Sequence, residues 1–214
     1  MKNVLLAGEG PTDIGDLAKE GPYRSDPPEP GVLQALVEKV APGRLCFVDG
    51  VLWKTIIKYQ AGQNRKREER NVWALALKAS ESKLHGVVFS RDRDRDDEQQ
   101  KRIERGITDA SQHFKLPLVG VTAVEAIEAW LLALLGDQCA ERHSDPKVAL
   151  SERGVTSVRE KVEVVQSEAN RIDRAEMCSR SLATWLGRLR EVALTKEPST
   201  EGDETDSAVP VGSD

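Results

Sequence analysis

The chain has 214 residues, which is enough for one α/β domain of ordinary size with its own core. Its net charge of −5 comes from the C-terminal end, since residues 197–214 hold six acids and no Lys or Arg, whereas residues 1–196 hold 30 acids and 31 bases. The three cysteines are far apart and show no CxxC spacing, which argues against a disulfide framework or a zinc site. The best apolar stretch, Val124 to Leu135, contains the acids Glu125 and Glu128 and is shorter than the ~20 residues that a membrane span needs. We therefore expect a cytoplasmic protein that does not enter a membrane.

Strands and helices are predicted to alternate through the first part of the chain. Short apolar runs are typical of buried parallel strands, and apolar residues spaced three or four apart are typical of helices. The predicted strands are 3–7, 45–51, 85–90 and 116–121, and the predicted helices are 32–40, 72–84, 98–114 and 124–135. This alternation predicts a parallel sheet with helices on both faces.

Only helices are predicted beyond Pro146, at 147–152, 157–169 and 174–194. We therefore predict an α/β domain over residues 1–145 and a helical C-terminal extension of the same domain over 146–195. Residues 196–214 are rich in Ser, Thr, Pro, Gly and acids, and such a segment cannot bury enough apolar surface to become ordered. They are predicted to form a disordered acidic tail.

Residues 53–70 are predicted to be a basic insertion within the α/β domain. Its cations could bind nucleic-acid phosphates without sequence preference. The candidate residues are Lys54, Lys58, Arg65, Lys66 and Arg67. A solvated helix face explains the pattern equally well, because two acids, Glu68 and Glu69, interrupt it.

Unusual acids follow two of the predicted strands. Glu9 and Asp13 come after the first strand, in Gly8-Glu-Gly-Pro-Thr-Asp13, and Asp92 and Asp94 come after the third, with Asp96 as a further candidate. Ligands of open α/β sheets bind beyond the carboxyl ends of the strands. Because alternate side chains of an extended segment point the same way, the acids after the third strand can form one carboxylate face. A hard divalent cation, Mg²⁺ or Mn²⁺, is the natural partner of such a face.

The arginines between these acids allow another interpretation. The run Arg91-Asp-Arg-Asp-Arg-Asp-Asp97 could be a solvated loop that neutralises its own charge. A DxD pattern alone is weak. Its place directly after a buried strand, together with a second acidic loop after the first strand, favours the metal site.

The acidic loops resemble those of a known family. Gly8-Glu9-Gly10-x-Thr12-Asp13 resembles the glutamate motif of Toprim domains, in the form found in OLD-type nucleases, and Asp92-x-Asp94 resembles the Toprim DxD. The segment Val124-Glu-Ala-Ile-Glu-Ala-Trp-Leu-Leu-Ala133, with Asp145-Pro-Lys147 downstream, is similar to a small bacterial Toprim-like group of unassigned function. Members of that group often lie in phage-defence loci beside an ABC-type ATPase. The resemblance implies a Toprim-like, Rossmann-like α/β fold.

The resemblance also implies roles for the acids. Glu9 would bind the metal or act as a general base, and Asp92 and Asp94 would hold the Mg²⁺ ion that clamps the scissile phosphate. Asp13 would complete a second metal position together with Glu125 or Glu128. Glu128 is favoured because it directly precedes Ala-Trp, as in the family pattern.

The implied function is metal-dependent hydrolysis of nucleic-acid phosphodiesters, as an antiphage effector that acts with an ATPase partner. Topoisomerase chemistry needs a tyrosine nucleophile, but Tyr23 and Tyr59 lie outside the acid cluster. Glycosyltransferases that use DxD and haloacid-dehalogenase-type phosphatases fit the spacing of the acids poorly. The competing interpretation is a non-catalytic or conditionally active subunit that docks on an ABC-type ATPase and regulates it.

Overall fold

Four parallel strands form the centre of the fold. The computed structural model describes residues 1–19, 23, 25, 27–56, 65–93 and 96–194. The strands are β1 (Lys2–Gly8), β2 (Leu45–Leu52), β3 (Val87–Asp92) and β4 (Leu118–Ala123), and they lie in the order β2-β1-β3-β4. Helices flank this sheet, so the predicted α/β class with a parallel sheet is confirmed, and the architecture is compatible with a Rossmann-like fold.

Helices connect the strands, and further helices follow β4 in the chain. In the described residues they are α1 (Pro11–Ile14), α2 (Val32–Val40), α3 (Arg67–Glu81), α4 (Asp97–Phe114), α5 (Glu128–Leu134), α6 (Pro146–Ser151), α7 (Val158–Ser167), α8 (Ile172–Cys178) and α9 (Arg180–Leu194). Several begin at a side-chain cap that the sequence supplies. The Asp145 carboxylate accepts hydrogen bonds from two backbone N–H groups of α6, and Ser157 forms a capping box at the start of α7.

The two faces of the sheet have separate hydrophobic cores, because successive side chains of a strand point to opposite faces. Leu5 and Ala7 of β1 pack in the core formed with α3 and α4. Val4 and Leu6 pack in the larger core, to which α2, α5, α7, α8 and α9 contribute.

Among the C-terminal helices, α9 packs directly on the sheet. Helix α9 lies against β4, and the indole N–H of its fully buried Trp185 donates a hydrogen bond to the carbonyl of Phe89 at 3.1 Å. The Trp185 ring is 5.6 Å from the ring of Trp130 on α5. The division into an α/β domain over residues 1–145 and a helical extension over 146–195 stays a prediction.

Some predicted element boundaries are wrong. The helix predicted from Val124 begins only at Glu128, because Glu125 has φ of 61°, in the left-handed region that a helix excludes. The helix predicted at 174–194 is interrupted at Ser179, whose backbone is extended. Helix α3 begins at Arg67, so the last turn of the predicted basic insertion is helical.

In the described residues, no helix combines the length and the apolar character needed to cross a bilayer. The predicted acidic tail, residues 196–214, lies outside the described residues.

Candidate carboxylate site at the carboxyl ends of β1 and β3

Asp92 is the last residue of β3, and its side chain is buried. Its Oδ1 accepts a hydrogen bond from the backbone N–H of Ile127 at 3.1 Å, in the turn that leads into α5. Its Oδ2 lies 3.6 Å from the Nζ of Lys147 on α6. Asp92 therefore joins the end of the sheet to two helices that follow it in the chain.

Asp13 reaches the same region from α1 and is also buried. Its Oδ2 accepts a hydrogen bond from the backbone N–H of Glu9 at 2.5 Å. A Cβ atom at Gly8 would lie only 2.4 Å from the Cβ of Asp13, whereas one at Gly10 would meet nothing within 4 Å. The first glycine of the Gly-Glu-Gly motif is thus required by the close approach of Asp13, and the second is not.

Glu128, the first residue of α5, is buried close to these two acids. Its Oε1 forms an ion pair with the Nζ of Lys161 on α7 at 2.9 Å. Its Oε2 is buried and has no hydrogen-bond partner. Glu125 does not share this position, because its Oε1 pairs with the guanidinium of Arg93 at 2.7 Å.

The acids influence one another electrostatically. Burial raises the pKa of Asp13, and the negative charges of Asp92 and Glu128 raise it further, to about 8. Asp13 is therefore largely protonated at neutral pH. Burial lowers the pKa of Lys147, but the carboxylates of Asp92 and Glu128 outweigh that effect and the net pKa is raised, so Lys147 stays charged.

Glu9 lies at the same edge of the sheet. Its Oε1 accepts a hydrogen bond from the backbone N–H of Asp92 at 2.8 Å and also contacts the guanidinium of Arg91. Four of the five predicted ligands, Glu9, Asp13, Asp92 and Glu128, thus lie at this edge of the sheet, although in the described residues no three of the acids are arranged to hold one metal ion. Asp94, the fifth, lies outside the described residues.

Asp96 has another role, because its Oδ1 caps α4 by accepting a hydrogen bond from the backbone N–H of Gln99 at 3.0 Å.

Basic side chains already compensate much of the negative charge of this site. Lys147 faces Asp92, Lys161 pairs with Glu128, and Arg91 pairs with Glu9. Lys161 belongs to a helix 33 residues further along the chain than Glu128, and no local pattern links the two. Sequence reasoning missed it for that reason.

The donor atoms suit a hard divalent cation, but in the described part of the chain no three His, Cys, Asp or Glu side chains are arranged to hold a metal ion. Carboxylate oxygens are the ligands that Mg²⁺ prefers, and it commonly takes only one or two of them together with water and phosphate. The unpartnered Oε2 of Glu128 and the carboxylate of Asp92 match that smaller requirement.

The predicted phosphate-binding cations of the basic insertion lie elsewhere. Lys54, Lys66 and Arg67 are exposed, and Lys58 lies outside the described residues. Arg65 is held within the chain, because its guanidinium stacks 3.9 Å from the centre of the Trp73 ring and pairs with Asp109 at 2.6 Å. Arg65 therefore makes an internal contact that would have to open before it bound a phosphate.

The chain was compared with models of protein families, with characterised proteins and with solved structures. None of these comparisons gave a significant match. The Toprim resemblance therefore depends on the short motifs around Glu9, Asp13, Asp92 and Asp94 and on the segment that contains Glu128, and it stays a hypothesis.

The raised pKa of Asp13 should make the free energy of unfolding depend on pH. The unfolded chain loses this proton near pH 3.8, whereas the folded protein keeps it up to about pH 8. Protonation of Asp13 thus contributes stability that is fully present below about pH 4 and is lost as the pH rises to about 8. We expect Asp13→Asn to reduce the fall in melting temperature between these two pH values, measured by circular dichroism. A variant whose melting temperature falls in parallel with that of the wild type would contradict this reading of Asp13.

Proposed function

We propose that this chain hydrolyses nucleic-acid phosphodiesters with the help of bound Mg²⁺ or Mn²⁺, on a Toprim-like fold. The observation that carries the proposal is the convergence of buried carboxylates at the carboxyl edge of a parallel sheet. Asp13 follows β1, Asp92 ends β3 and Glu128 begins α5, with the cationic Lys147 beside them. Ligand sites of open α/β sheets lie at this edge.

The acids divide into inner and outer groups. Asp92 and Glu128 are buried and would hold the ion, together with Asp13 once Asp13 has lost its proton, whereas Glu9 is about one-third exposed and accessible to water. A bound divalent ion neutralises charge on the phosphate and lowers the pKa of its water ligand. Glu9 would accept a proton from the attacking water, and the ammonium group of Lys147, whose side chain is 62% exposed, would attract the anionic substrate.

A second candidate function is a conditionally active subunit that docks on an ABC-type ATPase. The pairing of Glu9, Asp92 and Glu128 with basic side chains of the same chain favours it, because such a site is close to electrically balanced before any ion enters. In this candidate, the ATPase partner of an antiphage system would trigger the rearrangement that frees the acids.

A cleavage assay tests both candidates. Plasmid DNA and tRNA are incubated with the purified chain in Mg²⁺, in Mn²⁺ and in a chelator, with and without an ABC-type ATPase as the proposed partner. Metal-dependent cleavage by the chain alone would support the first candidate, and cleavage only with the ATPase would support the second. If neither metal produces cleavage under any condition, and neither raises the melting temperature at millimolar concentration, the proposed function is wrong.

A further inference from the structure

One hydroxyl group binds both ends of the β4–α5 turn, residues 124–127. The Oγ of Ser181, near the start of α9, accepts hydrogen bonds from the backbone N–H of Val124 at 3.4 Å and from the indole N–H of Trp130 at 2.8 Å. Val124 directly follows β4, and Trp130 lies in the first turn of α5. Because Ser181 and Trp130 are both buried, water has little access to compete for these bonds.

The β4–α5 turn carries contacts of the carboxylate site. The N–H of Ile127 donates to Oδ1 of Asp92 at 3.1 Å, and the next residue is the buried Glu128. Glu125 has φ of 61°, a left-handed conformation that residues other than glycine disfavour. The turn therefore needs contacts from outside to keep this shape, and the two bonds to Ser181 provide them.

Glu141 determines how the Ser181 hydroxyl is oriented. A serine hydroxyl has one hydrogen to donate and two lone pairs that accept. Ser181 donates its hydrogen to Oε1 of Glu141 at 2.5 Å, which leaves both lone pairs for the two N–H groups. The same oxygen of Glu141 accepts from the backbone N–H of Ser181 at 2.9 Å and from the hydroxyl of Ser179 at 2.7 Å. The Glu141 carboxylate is thus fixed at the start of α9.

We propose that Ser181 and Glu141 are positioning residues for the carboxylate site, an inference that rests on the proposed function. Ser181 holds the two ends of the β4–α5 turn together, and Glu141 keeps the Ser181 hydroxyl in the orientation that accepts both bonds. The turn then keeps the N–H of Ile127 on Asp92 and starts α5 at Glu128. Neither Ser181 nor Glu141 would touch the substrate, and both act through the turn.

The first measurement is native-state hydrogen exchange of the Ile127 amide in the full chain. Ser181→Ala leaves the N–H groups of Val124 and Trp130 without their acceptor, and the Ile127 amide should exchange about tenfold faster relative to the amides of the central strand β3. Glu141→Ala should act in the same direction. Glu141→Gln keeps an oxygen that accepts from the hydroxyl, and its Ile127 amide should exchange nearly as in the wild type.

The matched control is Ser179→Ala. Ser179 is fully buried, donates to the same Glu141 and caps α9 by accepting from the N–H of Leu182 at 3.2 Å. Its described hydrogen bonds do not reach the β4–α5 turn. Loss of this cap should destabilise the whole fold without speeding exchange of Ile127 relative to the β3 amides. Equal relative changes in Ser181→Ala and Ser179→Ala would assign both serines a merely structural role and would overturn the inference.

The cleavage assay adds a second readout and separates the inference from the proposed function. Under the condition in which the wild type cleaves, Ser181→Ala should lower kcat about tenfold with little change in KM, because the exposed Lys147 that would attract the substrate is not held by Ser181. Ser179→Ala should keep both constants near those of the wild type. Faster Ile127 exchange with an unchanged kcat in Ser181→Ala would overturn the inference alone. No cleavage by the wild type under any condition would overturn the proposed function and, with it, the inference.

Discussion

Asp92→Asn should lower the proposed metal-dependent cleavage by at least about 100-fold, because a neutral amide would not balance the charge of the proposed ion that activates water and phosphate. The fold should be retained, since the amide oxygen can still accept from the N–H of Ile127 as Oδ1 of Asp92 does. The measurement is the initial rate of plasmid or tRNA cleavage in Mg²⁺ and Mn²⁺, in the presence of the ATPase if the chain alone is silent.

The matched control is Asp97→Asn. Asp97 is another carboxylate of the acidic run, but its side chain is 79% exposed and pairs with Arg93 at the start of α4. We expect this variant to cleave at nearly the wild-type rate. If the Asp92 variant also keeps its activity, Asp92 does not act in cleavage, and the second proposed function, a docking subunit, is favoured.

Lys161→Met should destabilise the folded protein by about 3–5 kcal/mol, the cost of leaving one member of a buried ion pair without its partner. Lys161 and Glu128 are both largely buried, with side-chain exposures of 12% and 4%. The second carboxylate oxygen of Glu128 already has no hydrogen-bond partner, so this acid depends strongly on Lys161. Urea unfolding followed by circular dichroism measures the change.

A double variant and a surface control make the Lys161 result specific. Adding Glu128→Gln to Lys161→Met removes the uncompensated charge and should recover much of the lost stability. Lys101→Met breaks a pair with Glu98 that is more than half exposed on both sides, and it should destabilise the protein far less than Lys161→Met does. Equal losses of unfolding free energy in Lys161→Met and Lys101→Met would show that the buried ion pair stabilises the fold no more than the exposed one does.

These contacts give the C-terminal helices a role at the site. Lys147 comes from α6 and Lys161 from α7, and both neutralise acids that the α/β part of the chain provides. Rearrangement of these helices would therefore change the charge of the site directly.

The class of the fold, and the edge of the sheet at which most of the candidate acids lie, could be predicted from the residues alone. Apolar runs bounded by glycine and charge marked the four strands, and their alternation with helices implied a parallel sheet. Acids directly after the first and third strands must then lie at one edge, because the carboxyl ends of parallel strands lie together. That reasoning placed Glu9, Asp13 and Asp92 correctly at that edge.

The balance of charges in the candidate site could not be predicted, because it depends on contacts between residues that are distant in sequence. Helical spacing could not show which of Glu125 and Glu128 lies beside Asp13 and Asp92. The two acids are separated by the left-handed backbone at Glu125, which belongs to the turn whose Ile127 N–H binds Asp92. The proton held by Asp13 depends on burial and on two acids that are distant in sequence. Lys161 reaches Glu128 across the packed core, and contacts of this kind leave no local pattern in a sequence because they form only when separate helices meet.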